Sequence, residues 1–332
     1  MKTPKLPLVA MITLMALPGG AAIETVSESF VGSAVTIPGV QGTGERISFF
    51  SLRAVRPALY SGKVTGVGAT TITDSGANWT TTQFVGRGAL YAEFANGLEA
   101  DIQQVSFVSK TLSFSGALPP SLTVGTAYRI RQHHTVAEIF GPANQAGLLP
   151  GANDDEAETI RHFIPDTQPQ QTRIYFYCNL PGATGWADYS YTPASNIVIY
   201  PEQGLMVRRR TAANLTFTSS GPLKQWTSAI PVFPGYNMLG LYHRAAPVRL
   251  DQLGLLASGF AGGENADLAD NVLKFNPDGS TTTYFYWNLP GYEGWHDYGF
   301  QPAGHVTFAP GSVFMLYRLP SSAYFEWTLP AQ

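Results

Sequence analysis

Trp186 and Trp295, each followed three residues later by a tyrosine (Tyr189 and Tyr298), are the residues of this chain best suited by type and spacing to chemistry. An indole beside a phenol offers flat apolar faces for a sugar ring and a polar edge to hydrogen-bond it. Between them lie Asp188 and Asp297, carboxylates of the kind that general acid–base catalysis uses. Each has a competing reading. Aromatic side chains bury most of their area when a core is available, and aspartate bonds its own backbone in turns. Because both sets recur in step along the chain, roles in holding the fold are favoured. The two aspartates also sit in different copies, which argues against a catalytic pair.

The other reactive types are scattered. Asn153, Asp154, Asp155, Glu156 and Glu158 form an acidic run, and Asp270 is the later counterpart of Glu158. Asp154, Asp155, Glu158 and Asp270 are therefore the candidate ligands of a hard cation such as calcium. Their spacing fits no calcium loop, and a solvated loop is the favoured reading. His133, His134, His162, His243, His296 and His305 make no H-x-x-x-H pair, and the lone Cys178 makes no C-x-x-C, so zinc has no support. No nucleophile elbow, Walker loop or dinucleotide fingerprint is present. The sequence calls for no cofactor and for no enzyme. Arg208, Arg209 and Arg210 end one strand-like run; Arg209 aligns with Arg318, which favours a carboxylate partner on a neighbouring strand.

The stretches that position these residues are two versions of one text. Residues 175–209 align with residues 284–318 without a gap, at an offset of 109 (284 − 175), and 16 of the 35 positions are identical. Unrelated segments of ordinary composition would share about two or three. Upstream, 151–168 pairs with 263–280, and the Pro-Gly strands near Pro38 and Pro234 echo one another. The first copy is split by 59–133, a run of short Val/Ile/Thr/Phe strands with a hairpin signal at Asn96-Gly97, which reads as a small antiparallel barrel. The spacing of Leu250, Leu253 and Leu256 suits a short helix, and a similar segment begins at Thr135.

Charged residues are 13% and hydrophobic residues 44%, with 34 Gly and 24 Pro, the balance of a turn-rich β protein with enough apolar surface to fold. Lys2 and Lys5, the apolar run Leu6 to Leu17 and the small residues Gly20 to Ala22 read as a signal peptide cleaved near Ala22. The apolar run is shorter than the ~20 residues a bilayer needs, so no membrane span is expected in the mature chain. Without the leader the formal charge is 18 − 23 = −5, which leaves no basic field for nucleic acid.

Several motifs in this order carry a resemblance: Gly62 and Val64, Trp79 to Phe84, Phe94 to Glu99, Tyr175 to Tyr177, Trp186, and Pro201 to Arg209. Together they resemble a family of uncharacterised exported β-rich proteins multiplied in Verrucomicrobia-type bacteria. The insert alone is similar to small β-barrel modules of phage-tail and surface proteins. The family implies export and a β architecture, and supplies no catalytic residue. The second copy departs from its finishing pattern, with Val313 for Gly204 and Tyr317 for Arg208.

The expectation is an all-β chain of two tandem antiparallel sandwich-like repeats, the first interrupted by a small barrel, with one short helix per repeat. The units are a signal peptide (1–22), a discontinuous first repeat (23–58 and 134–227), the insert (59–133) and the second repeat (228–332). The expected function is a non-catalytic exported protein with a structural or adhesive role. The alternative is a glycan-binding module using Trp186, Tyr189, Trp295 and Tyr298, and an enzyme comes third. Self-association is the other partner expected, through an arm at Ile23 to Ile37 completing a neighbour's sheet.

Overall fold

The structure, a computed structural model, describes residues 30–164, 171–242, 245–276 and 279–329. The leader segment and His243 lie outside the described residues. The fold is all-β: strands dominate, and the few helices are short.

Two five-stranded antiparallel sheets share one strand order. The first runs Gly185–Asp188, Gln171–Cys178, Thr159–Ile164, Leu205–Arg209, Arg46–Phe50. The second runs Gly294–Asp297, Thr281–Trp287, Asn271–Phe275, Val313–Arg318, Gly235–Gly240. Each is accompanied by a longer two-stranded ribbon, Phe30–Ile37 with Leu215–Pro222 and Ser228–Val232 with Phe325–Leu329. The second ribbon shows why these residues form strands: Phe325, Trp327 and Leu329 point inward while Glu326 and Thr328 face solvent, the period of two that a half-buried strand imposes. The indole of Trp327 donates to the Leu253 carbonyl at 2.7 Å, so its one polar atom is satisfied inside the core.

Phe30–Ile37 is thus already paired along its length within the chain. That pairing occupies one edge of Phe30–Ile37 in a two-stranded ribbon; residues 23–29 of the arm lie outside the described residues.

Residues 59–133 form a seven-stranded sheet. Its two end strands, Tyr60–Lys63 and Gly66–Val67, are consecutive parts of one run. Val64 donates to Thr126 (2.9 Å) and Thr65 to Thr73 (2.7 Å), so this single run pairs with both ends of the sheet. The Asn96-Gly97 hairpin joins Leu90–Phe94 to Glu99–Ser106, with Gly97 in the left-handed region (φ +96°) where a Cβ would be strained.

The short helices depart from the spacing expected of them. Leu250–Gln252 and Leu255–Ser258 are separate turns, broken at Gly254, whose φ is +71°. The break shifts the phase, so Leu250, Leu253 and Leu255 enter the core and Leu256 is 39% exposed. Val136–Phe140, by contrast, starts on a capping box between Thr135 and Glu138.

Candidate functional site

The strongest concentration of polar chemistry lies where the seven-stranded sheet of residues 59–133 meets the two five-stranded sheets. Cross-strand partners of the hairpin share a face, so the pairs Tyr91–Asp101 and Glu93–Glu99 send four polar side chains to one side. His133 follows the neighbouring strand Ala127–Gln132. Tyr200 and Glu202 come from the loop before Leu205–Arg209, and Lys224, Ser228 and Tyr242 from the chain entering the second sheet. Tyr91, Glu99, Asp101, His133, Tyr200, Glu202, Ser228 and Tyr242 enclose a cavity of about 160 Å³.

The groups are bonded across the junction. Asp101 receives hydrogen bonds from His133 Nε2 (2.8 Å) and from the Tyr200 hydroxyl (2.6 Å). Burial works against its charge, but the His133 and Tyr200 bonds outweigh it and hold the carboxyl below its ordinary range. Lys224, almost wholly buried, forms an ion pair with Glu99 and lies 3.5 Å from the Tyr242 hydroxyl, which meets Ser228 Oγ at 2.8 Å. Burial, then the Glu99 charge, raises the Tyr91 and Tyr242 phenols well above the usual tyrosine value. Glu202 is pushed up to about 8, by burial first and by Glu99 second. Nearby, Arg131 and Glu93 form a buried pair at 2.6 Å, and Arg129 lies 4.2 Å over the Trp226 ring. A backbone bond from Ala229 to Gly97 (3.1 Å) completes the contact between insert and second sheet.

No family model, curated protein or solved structure matches this chain. The site is therefore read from its own geometry.

The sequence-derived candidates fall elsewhere. Trp186 and Trp295 are 2% and 6% exposed, inside the cores of the first and second sheets. Trp186 donates to the Gly141 carbonyl at 2.8 Å; Trp295 packs on Phe260 and Tyr286. Both indoles are buried, so their role as a pair of exposed stacking platforms is corrected; Trp295 also lines a cleft beside Gly294–Asp297. Tyr189 and Tyr298 are exposed on the turns that follow Gly185–Asp188 and Gly294–Asp297, in different sheets, and Tyr189 lines a cleft with Arg173, Tyr175 and Asp188. Asp188 and Asp297 are turn residues: each Oδ1 accepts two backbone N–H bonds at 2.8–2.9 Å.

The cation site is corrected too. Glu158 is buried and accepts from the Arg210 and Thr211 backbone, while Arg209 lies 2.9 Å away; Asp270 meets Arg318 at 2.5 Å in the other sheet. Asp154 and Asp155 stay on a surface turn beside Asn153. Among the described residues no three His, Cys, Asp or Glu side chains are grouped so as to hold a metal ion. Arg209 and Arg318 do have carboxylate partners beside the neighbouring strand.

Outside the junction, a cleft of about 650 Å³ borders the edge strand Gly294–Asp297, between Tyr286, Tyr292, Glu293, His296 and Asp251. Tyr292 is exposed and stacks on Trp287 (4.9 Å, 27°). Comparing the two copies passes over both places, because their residues are not shared: Tyr200 and Glu202 align with Ala309 and Gly311, and Tyr292 and His296 with Ala183 and Ala187. The usable signal was this divergence between copies of one fold.

Proposed function

We propose that this is an exported, non-catalytic protein with a structural or adhesive role at the cell surface or in secreted material. The observation that carries the reading is the use made of the charges that recur in both copies. Glu158–Arg209 and Asp270–Arg318 are spent inside their sheets, and Asp188 and Asp297 in turns. The polar contacts at the junction add to this, tying residues 59–133 to both sheets. The leader-like N-terminus and the family resemblance support export. The test is a panel of glycoside, ester and peptide substrates offered to the purified chain. The reading expects no turnover; hydrolysis that disappears in Glu202→Gln or Glu99→Gln would overturn it.

A second reading rests on the cleft beside Gly294–Asp297. Its exposed Tyr292 face, flanked by the carboxylates of Glu293 and Asp251, is the combination that holds a pyranose by stacking and hydrogen bonding. Glycan binding then belongs to this cleft, which Trp295 lines from its buried position, and not to a pair of exposed platforms on Trp186 and Trp295. A glycan array run with the unsubstituted chain and with Tyr292→Ala decides it: binding lost in Tyr292→Ala supports the cleft, and no binding by either ends the reading.

A further inference from the structure

Two residues that line the cavity have a side-chain atom with no hydrogen-bond partner among the described residues: His133 at Nδ1 and Glu202 at Oε2. His133 is only 3% exposed. Its Nε2 is engaged with Asp101 at 2.8 Å. A carboxylate oxygen only accepts, so Nε2 carries a proton, and in the tautomer with that single proton Nδ1 presents a lone pair. A buried acceptor without a donor is unfavourable, so a cavity beside two of them suits a guest that donates.

Charge points the same way. Glu99 is neutralised by Lys224 and Glu93 by Arg131, and Asp101 is held by His133 and Tyr200. Glu202 is the carboxylate at the cavity with no ion pair to a cation among the described residues. The rings of Tyr91, Tyr200 and Tyr242 line the same space, and the negative face of an aromatic ring attracts cations. Lys224 already uses this attraction, with its ammonium 6.0 Å from the Tyr242 centroid. At about 160 Å³ the cavity compares with the roughly 150 Å³ that admits a benzene-sized guest.

We infer that the junction cavity binds a small primary ammonium, an aminoalkane or amino alcohol of about six heavy atoms at most. Its N–H groups donate to Glu202 Oε2 and His133 Nδ1, and its alkyl part lies against the tyrosine rings. Once Glu202 is ionised, the cation balances its charge, since Lys224 is taken by Glu99. The walls of the site come from several separate parts of the chain, so the ligand also bridges residues 59–133 and the sheets. The site goes beyond the scaffold reading, which uses the same junction only as a tie, and is separate from the cleft at Tyr292.

The test is titration calorimetry of the purified chain with propylammonium chloride, above the pH of about 8 at which Glu202 ionises. 1-Propanol and sodium chloride are the neutral and ionic controls. Saturable binding of propylammonium alone is expected, weakened by roughly tenfold or more in Glu202→Gln through loss of a charge-assisted bond. Absence of saturable binding, equal binding of 1-propanol, or unchanged affinity in Glu202→Gln overturns the inference. If Glu202→Gln does not fold, the comparison of ligands on the unsubstituted chain decides alone.

Discussion

Gly204 faces Val313 across the contact between the two five-stranded sheets, and the two hold the same position in the aligned copies. A Cβ on Gly204 would lie 2.4 Å from Val313 Cγ1 and 2.8 Å from Met238 Cγ. Around this point the contact is reciprocal: Ser51 donates to the Gly311 carbonyl (3.1 Å) and Gly240 to that of Glu202 (2.8 Å), and residues 202 and 311 are again aligned. An interface in which like meets like leaves room for only one side chain at its centre. Gly204→Ala should therefore cost about 1–3 kcal/mol by overpacking. Adding Val313→Ala should return part of that loss, a coupling of about 0.5–3 kcal/mol in urea denaturation. Additive losses would mean that the two positions do not meet.

The Glu158–Arg209 and Asp270–Arg318 pairs do the same work in the two sheets. Each carboxylate is fully buried, and each arginine also bonds main-chain carbonyls, Ile37 and Ala213 for Arg209, Ala323 and Gly259 for Arg318. Removing one partner leaves an uncompensated buried charge. Arg209→Met and Arg318→Met are each expected to lose about 3–5 kcal/mol in urea denaturation, with Arg209→Met and Glu158→Gln combined losing less than the sum.

The β architecture was legible because alternation, turn residues and the doubled text all act locally. Asn96-Gly97 fixes a hairpin and Asp188 and Asp297 fix turns wherever they occur. The helix phase was not legible, since Leu255 displaces Leu256 only through the left-handed Gly254. The junction was not legible either. Glu99, His133, Glu202 and Lys224 are spread over 125 residues of sequence, and only the docking of the insert brings them together. Their meaning lies in burial and in one another's charge, neither of which a pattern of residue types records.

The buried indoles give a direct check on the packing. Trp186 fills the core between Phe140 and Tyr177 and donates to Gly141, so Trp186→Ala removes both a large apolar body and a hydrogen bond. A loss of about 3–5 kcal/mol is expected, with acrylamide quenching of the remaining tryptophan fluorescence changed little in the folded state. A surface platform would instead be lost without a shift in the denaturation midpoint.

Glu202 sets a pH dependence of its own. Its carboxyl titrates near 4.3 in an unfolded chain and at about 8 in the fold, because burial and the Glu99 charge favour the neutral form. The folded state therefore holds an extra proton between those values. What Glu202 contributes to stability is fully present below about 4.3, falls as pH rises to about 8, and is level above it. His134 and His162 slope the other way: burial pushes both down to about 4, so their contribution is complete above about 6.5 and is lost as pH falls toward 4. Glu202→Gln keeps the shape and removes the titration. In urea denaturation across this range, the stability of Glu202→Gln relative to the unsubstituted chain should rise with pH from about 4.3 and level off near 8, while the acid-side loss from the histidines stays in both. A difference that is constant with pH would mean that Glu202 is ionised at neutral pH, with a cation beside it that the junction already supplies.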